Sequence, residues 1–240
     1  MARLARVVAP GFPHHVTQRG NRRLPTFLRT ADYELYIALM AEWCGKCGVE
    51  VWAYCLMPNH VHLIVAPSTE EGLARAIGQA HWRYSRHVNF REGWRGFLSQ
   101  GRFASFTMDE SHLLAAARYV ELNPIRAGLA KDPWSYRWSS AKAHARRRDD
   151  VLVKVKPLLE LAGDWKEFLA SGLSGGEAEV IRRHERTGRP LGENRFLDRI
   201  EKLVGRVVRK RKPGPKPDGG MRRDAPRTRR IQPIARRCAR

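Results

Sequence analysis

An α+β fold of the ferredoxin-like, RRM-like kind, with an antiparallel sheet and helices on one face, is predicted by the order of the patterns along the chain. That order is strand, helix, strand hairpin, helix, strand, helix. Two observations carry it. Short β-branched and aromatic runs at 14–19, 49–56, 60–65 and 102–108 are separated by segments of helical period, and Pro58-Asn59 makes a tight connection between the middle two. The length of 240 residues suits one well-buried domain plus an appendage.

The elements follow in order. HHVTQR at 14–19 reads as a first strand, ended by the turn pair Gly20-Asn21. Tyr33, Tyr36, Ile37 and Met40 recur at three- and four-residue intervals, which predicts a helix from Asp32 to about Trp43, closed by Gly48. VEVWAYCL at 49–56 then pairs with 60–65 as a hairpin. Ser68-Thr69-Glu70-Glu71 has the capping-box arrangement, opening a long helix with Leu73, Ile77, Tyr84 and Val88 on one face and Arg75, Arg83 and Arg86 largely elsewhere. After a loop punctuated by Gly and Trp, RFASFTM at 102–108 gives the fourth strand. Asp109-Glu110-Ser111 supplies cap-type residues for a helix from His112 to about Leu122, which Pro124 should end by disfavouring helical geometry at Asn123. Farther on, Glu177 to Thr187 looks helical, GRPLG at 188–192 breaks the pattern, and Phe196, Ile200 and Val204 mark another helix. This pair fits a helix-turn-helix that reads DNA and, equally, a plain helical hairpin packed on the domain before it.

Charge narrows the partner. Lys and Arg number 45 against 24 Asp and Glu, a formal net charge of +21, and such a field selects a polyanion, most simply nucleic acid. More than half of the excess lies in 205–240, where 14 basic residues face 2 acidic ones. RKRKPGPKPDGGMRRDAPRTRR has almost nothing to bury, so a disordered DNA-binding arm that includes Arg209, Lys210, Arg211 and Lys212 is expected, a solubilising tail being the blander reading. No segment approaches the about 18 uninterrupted apolar residues of a spanning helix, and MARLARVVAPGF has no signal-peptide core. The chain therefore reads as cytoplasmic, with no membrane partner. Of Cys44, Cys47, Cys55 and Cys238, the first two form a C-x-x-C with no second pair at zinc-finger spacing. They read as incidental thiols, and Cys55 as a small core residue.

Two stretches carry chemistry. In MPNHVHLIV, strand alternation puts His60 and His62 on one side and Val61, Leu63 and Val65 on the other. The valine and leucine side can be core, which leaves the histidines facing a cleft or solvent. Two imidazoles on a rigid platform can grip one divalent cation, although a half-exposed strand face carries the same pattern. In ARYVELNP, Leu113, Ala117 and Val120 make the packing stripe, while Tyr119 and Asn123 sit one turn apart on a different face. Taken alone, Tyr119 reads as a packed aromatic.

Taken together, HVTQRGN, YCLMPNHVHLIV, QGRF, RYVELNPIRAGL and WSYRWSSA, in this order from about His14 to Ala141, resemble the REP-associated tyrosine transposases. These belong to the single-tyrosine superfamily of HUH endonucleases. The resemblance implies a ferredoxin-like catalytic domain over 1–145 in which His60 and His62 bind Mg²⁺ or Mn²⁺ and Tyr119 attacks DNA, leaving a 5′-phosphotyrosine and a free 3′-hydroxyl. Asn123 stands where the superfamily often has glutamine as a third metal ligand, one methylene longer. Single-stranded DNA and hairpins from repetitive extragenic palindromes are the implied substrates, bound by a monomer or a homodimer. Arg19, Asn21, Gln100, Arg102 and Arg126 lie in or beside the shared motifs and are candidate strand contacts. TGRPLG resembles the tail of these proteins, and residues 146–204 and 205–240 would hold and orient DNA. A domesticated regulator that binds hairpins without cutting them is the alternative from another class, and a replication-type nickase is the nearer rival.

Overall fold

A computed structural model describes residues 5–210; Arg211 and Lys212 lie outside the described residues. Four strands, β1 (His14–Arg19), β2 (Val49–Met57), β3 (His60–Pro67) and β4 (Ala104–Thr107), form an antiparallel sheet in the order β2-β3-β1-β4. The predicted antiparallel α+β class holds, and the first strand has the predicted bounds, but helices cover both faces of the sheet and not one, since the histidine face also carries an α-helix. Register fixes what each face carries: Thr17 lies opposite His62, Arg19 opposite His60 and His15 opposite Ile64. His15, Thr17, His60 and His62 therefore share one face, and Val16, Gln18, Val61 and Leu63 the other.

The apolar face is covered by α1 (Thr30–Lys46) and α2 (Glu70–Glu92), whose Tyr36, Met40, Leu73, Ile77, Tyr84 and Val88 are buried. The cap of α2 is Thr69, whose hydroxyl accepts a hydrogen bond from Gly72 N at 3.1 Å. The cap thus lies one residue later than predicted, and the predicted box does not form, because its N3 position is Gly72, which has no carboxylate to reach back. On the histidine face lies α3 (Glu110–Glu121), capped by Asp109. The chain does not open into a loop after α3. Leu122, at φ −86° and ψ 0°, turns it directly into α4 (Asn123–Arg126). Pro124 is tolerated there because the first turn of a helix has no intrahelical partner for its missing N–H.

Helices α5 (Ala141–Ala145), α6 (Lys156–Ala162), α7 (Trp165–Ala170), α8 (Gly175–Thr187) and α9 (Asn194–Val204) follow. They add a second helical layer that the element order of the first half did not contain. As far as Arg209 the described residues form one compact unit, and Lys210 falls in another. The WSYRWSSA motif closes the exposed edge of β2: Leu56 N donates to Trp138 O at 2.8 Å and Ser140 N to Tyr54 O at 3.0 Å. Beneath it, the buried carboxylate of Glu121 accepts from Ser140 Oγ, from His144 Nδ1 at 2.7 Å and from Trp165 Nε1 at 2.7 Å. This clasp ties α3 to α5 and α7.

At the other end, Val7, Ala9, Ile200 and Val208 make a small second core. Residues 205–209, expected to lie in the tail, include packed ones. Val208 is buried, Arg206 donates to the carbonyls of Ala5 and Arg6, and Arg209 pairs with Glu201 and Asp198. Cys44 and Cys55 are buried, and with Cys47 they are free thiols. No helix among the described residues is long and apolar enough to cross a membrane.

Candidate catalytic and DNA-binding site

The pairing of β1 with β3 brings together residues far apart in sequence. His15 Nε2 and His62 Nδ1 are 3.1 Å apart, and the two rings stack at 5.2 Å. From α8, Glu185 Oε1 reaches 3.7 Å from His15 Nδ1 and 3.6 Å from His62 Nδ1. Among the described residues, these three are the group whose donor atoms converge as a metal site requires. His60 stands beside it, with its ring 4.9 Å from that of His62 and its Nδ1 2.6 Å from Asn59 Oδ1. The histidine face is thus less open than expected. His62 is 2 % exposed because α3 and α8 lie over it, whereas His60 is half-buried at the cleft.

Burial sets the electrostatics. Desolvation pulls His15 down to about 3 and His60 to about 4, the latter helped by Arg19 and Arg126, and it pushes Glu185 up to about 7 against four surrounding arginines. The imidazoles are therefore neutral near pH 7, the form that can donate a lone pair to a cation.

Tyr119 presents its ring 5.5 Å from that of His62 and 6.0 Å from that of His15. The Arg126 guanidinium lies 4.1 Å from the tyrosine ring centre, and Arg126 also donates to the Tyr119 carbonyl at 3.2 Å. Burial raises the phenol pKa and the charge of Glu185 adds to this, while Arg126 and a hydrogen bond from Arg182 oppose it. Asn123 is buried in the first turn of α4 with its Nδ2 unpartnered, and it is not among the residues lining the histidine cleft.

The cleft in front of His60 and His62 has a volume of about 530 Å³. Arg19, Gln100 and Arg102, all expected at DNA, line it together with Arg23 and Arg182. Asn21 is exposed in the short turn beside β1, and Arg126 lies over Tyr119. Arg209 is elsewhere, held by its acidic partners on α9, and Lys210 is exposed.

Sequence reasoning missed His15 and Glu185. His15 could have been found, since it precedes Thr17 by two in the first strand and so shares its face. Glu185 offered a weaker signal, as the lone acid in the basic run RRHER, more than a hundred residues from the histidines.

Comparison with protein families matches residues 12–123 to the family described as "Transposase IS200 like". Comparison with curated proteins gave no match. Among solved structures, a REP-associated tyrosine transposase bound to a REP hairpin aligns with a TM-score of 0.50 at 20% identity, covering 65% of this chain and 93% of that one. A candidate transposase from Deinococcus radiodurans R1 aligns with a TM-score of 0.35 at 19% identity, over 50% of this chain and 96% of that one. Residues 12–123, a little under half of the chain, are thus similar to the IS200-like transposase family, and the fold is like that of a REP-associated tyrosine transposase.

Proposed function

We propose that the protein is a divalent-metal-dependent DNA endonuclease and strand transferase that cuts single strands beside palindromic hairpins through a 5′-phosphotyrosyl intermediate on Tyr119. One observation carries this reading. The ring of Tyr119, on α3, stands 5.5 Å from that of His62, with two arginines acting on it, next to a cleft rimmed by further arginines.

The donor set fits a cation. His15 Nδ1 and Glu185 Oε1 are buried polar atoms without a hydrogen-bond partner, and they converge with His62 Nδ1. Orphaned polar atoms of this kind call for an explanation, and a bound ion supplies one. His15, His62 and Glu185 would hold the ion, with His60 beside them at the cleft. A mixed imidazole and carboxylate set suits Mn²⁺ better than Mg²⁺, which prefers oxygen donors. When bound, such an ion neutralises charge on the non-bridging phosphate oxygens.

The chain's own residues do the rest. Tyr119 Oη forms a bond to phosphorus as the bond from phosphorus to the 3′ oxygen breaks. The phenol loses its proton, and the departing oxygen takes one up. One ester replaces another, so the free 3′-hydroxyl can reverse the step without ATP. A phenol titrating above its ordinary value is a poor nucleophile, and the charges of Arg126 and Arg182 favour its ionised form. The planar guanidinium forks of Arg19, Arg23 and Arg102 suit phosphate oxygens and would hold the strand in line.

A second reading has its own observation. Tyr119 is only 5 % exposed, which is what a packed aromatic in a hairpin-binding regulator would show. Incubating the full chain and Mn²⁺ with single-stranded hairpins from its own genomic flanks separates the two. Cleavage by the wild type, lost on chelation and lost in a folded His62→Ala variant, is expected. Hairpin binding with no cleavage at any metal concentration would favour the regulator.

A further inference from the structure

A second groove, of about 730 Å³, runs between α2 and the segment 96–103. Its walls carry Trp82, 54 % exposed, and Phe97, 86 % exposed, a large aromatic surface that the core does not use. Arginines accompany them. The Arg86 guanidinium lies 5.6 Å from the Trp82 ring centre, and Arg102 lines the wall nearer the histidines. Among the described residues no Asp or Glu lines this groove. Gln18 and Arg102 line both the groove and the histidine cleft, so the two adjoin at the edge of the sheet.

We propose that this groove is a stacking subsite for unpaired nucleotides of the substrate strand, whose bases lie on Trp82 and Phe97 while Arg86 and Arg102 take up the phosphates. The inference rests on the reading that a single DNA strand enters the histidine cleft. Aromatic faces next to guanidinium groups are the general means of holding single strands, because every base has a π-face and every linkage a negative charge. Paired bases in a duplex have no face free to stack. The absence of acidic residues disfavours a basic peptide, and the shared edge at Gln18 and Arg102 gives a strand leaving the cleft the shortest route into the groove. Stacking tolerates any sequence, so the groove contributes dependence on length and leaves base identity to other contacts.

The test uses the full chain with Tyr119→Phe, so that binding is read without cleavage. Two probes are compared by titration: a blunt DNA hairpin, and the same hairpin extended on either side by a short oligo(dT) strand. One of the extended probes should bind about tenfold more tightly than the blunt one, the worth of a stacked base or two. Trp82→Ala with Phe97→Ala should bring it back to the blunt value, as should abasic sites in the extension. Both side chains are exposed, so thermal melts of the double variant should match the parent. Equal affinity of extended and blunt probes, or an extension effect untouched by the double variant, overturns the proposal. So does a double variant that loses only self-association, since the face would then be a protein interface. Because no cleavage is required, the stacking subsite can fail while Tyr119 chemistry stands, or stand where that chemistry fails.

Discussion

His14 is fully buried and holds the chain that enters β1. Its Nδ1 donates to Phe12 O at 2.8 Å, so its Nε2 is left to accept from Ala9 N at 3.1 Å. A second proton on the ring would remove Ala9's acceptor and bury a charge, and desolvation accordingly pulls His14 down to about 4, partly offset by the bond to Phe12. His81, bonded to the Tyr36 hydroxyl at 2.7 Å, is pulled down to about 4 by burial alone. The sign follows from proton counts. Between the ordinary value of 6.5 and about 4 the unfolded chain binds a proton at each site that the folded chain does not. Their stabilisation is thus complete above pH 6.5 and is lost as pH falls toward 4, by about 3 kcal/mol for each site at most. Urea unfolding at pH 7 and pH 4.5 should show this loss, and His14→Leu, though less stable at both, should show a smaller difference. Equal pH dependence in the two proteins would contradict the assignment. At this scale the sequence pointed to His60, His62 and Tyr119, which short motifs keep in recognisable company and which the fold brings side by side. It hid Glu185, whose place beside His15 and His62 depends on a helix crossing the sheet, which periodicity does not encode.

The elements behave as levers on the site. Helix α3 carries Tyr119 toward the histidines and Glu121 toward α5 and α7, where its carboxylate gathers Ser140, His144 and Trp165 around one buried group. Removing that carboxylate leaves the buried donors of His144 and Trp165 unpaired, whereas Ser140 Oγ keeps Tyr54 O at 3.3 Å, so Glu121→Ala should cost about 3 kcal/mol or more and lower the melting temperature markedly. Glu121→Gln keeps the shape and should cost less. A melting temperature unchanged in Glu121→Ala would mean that the clasp does not hold α3. Strands and long helices were legible because apolar residues recur at period two or near 3.6 over enough length. The turn from α3 into α4 was not, since Pro124 signals a stop equally well whether the chain then opens or begins a new helix. The placement of α8 over the histidine face was likewise closed to a one-dimensional reading, which left its pairing with α9 undecided.

For the whole molecule, charge is the dominant quantity. Cutting after Lys210 spares Val208 and the contacts of Arg206 and Arg209, and removes 11 basic and 2 acidic residues. If those residues meet phosphates, affinity for a hairpin should fall and its salt dependence should flatten, because fewer counterions are released. Titration of full-length and truncated protein at several salt concentrations checks this, and an unchanged slope would mean that the segment does not touch DNA. Cutting at 205 would damage the small second core and confuse the result, a distinction that composition alone could not draw. Strand transfer by this protein would depend on the phenol of Tyr119. Its most direct test is a denaturing gel of the protein, Mn²⁺ and a hairpin labelled on the 3′ side of the cut. The wild type should carry the label as a covalent adduct, and Tyr119→Phe, binding the same hairpin, should carry none. An adduct that persists in Tyr119→Phe, or cleavage by the wild type with no adduct at any time point, would contradict it.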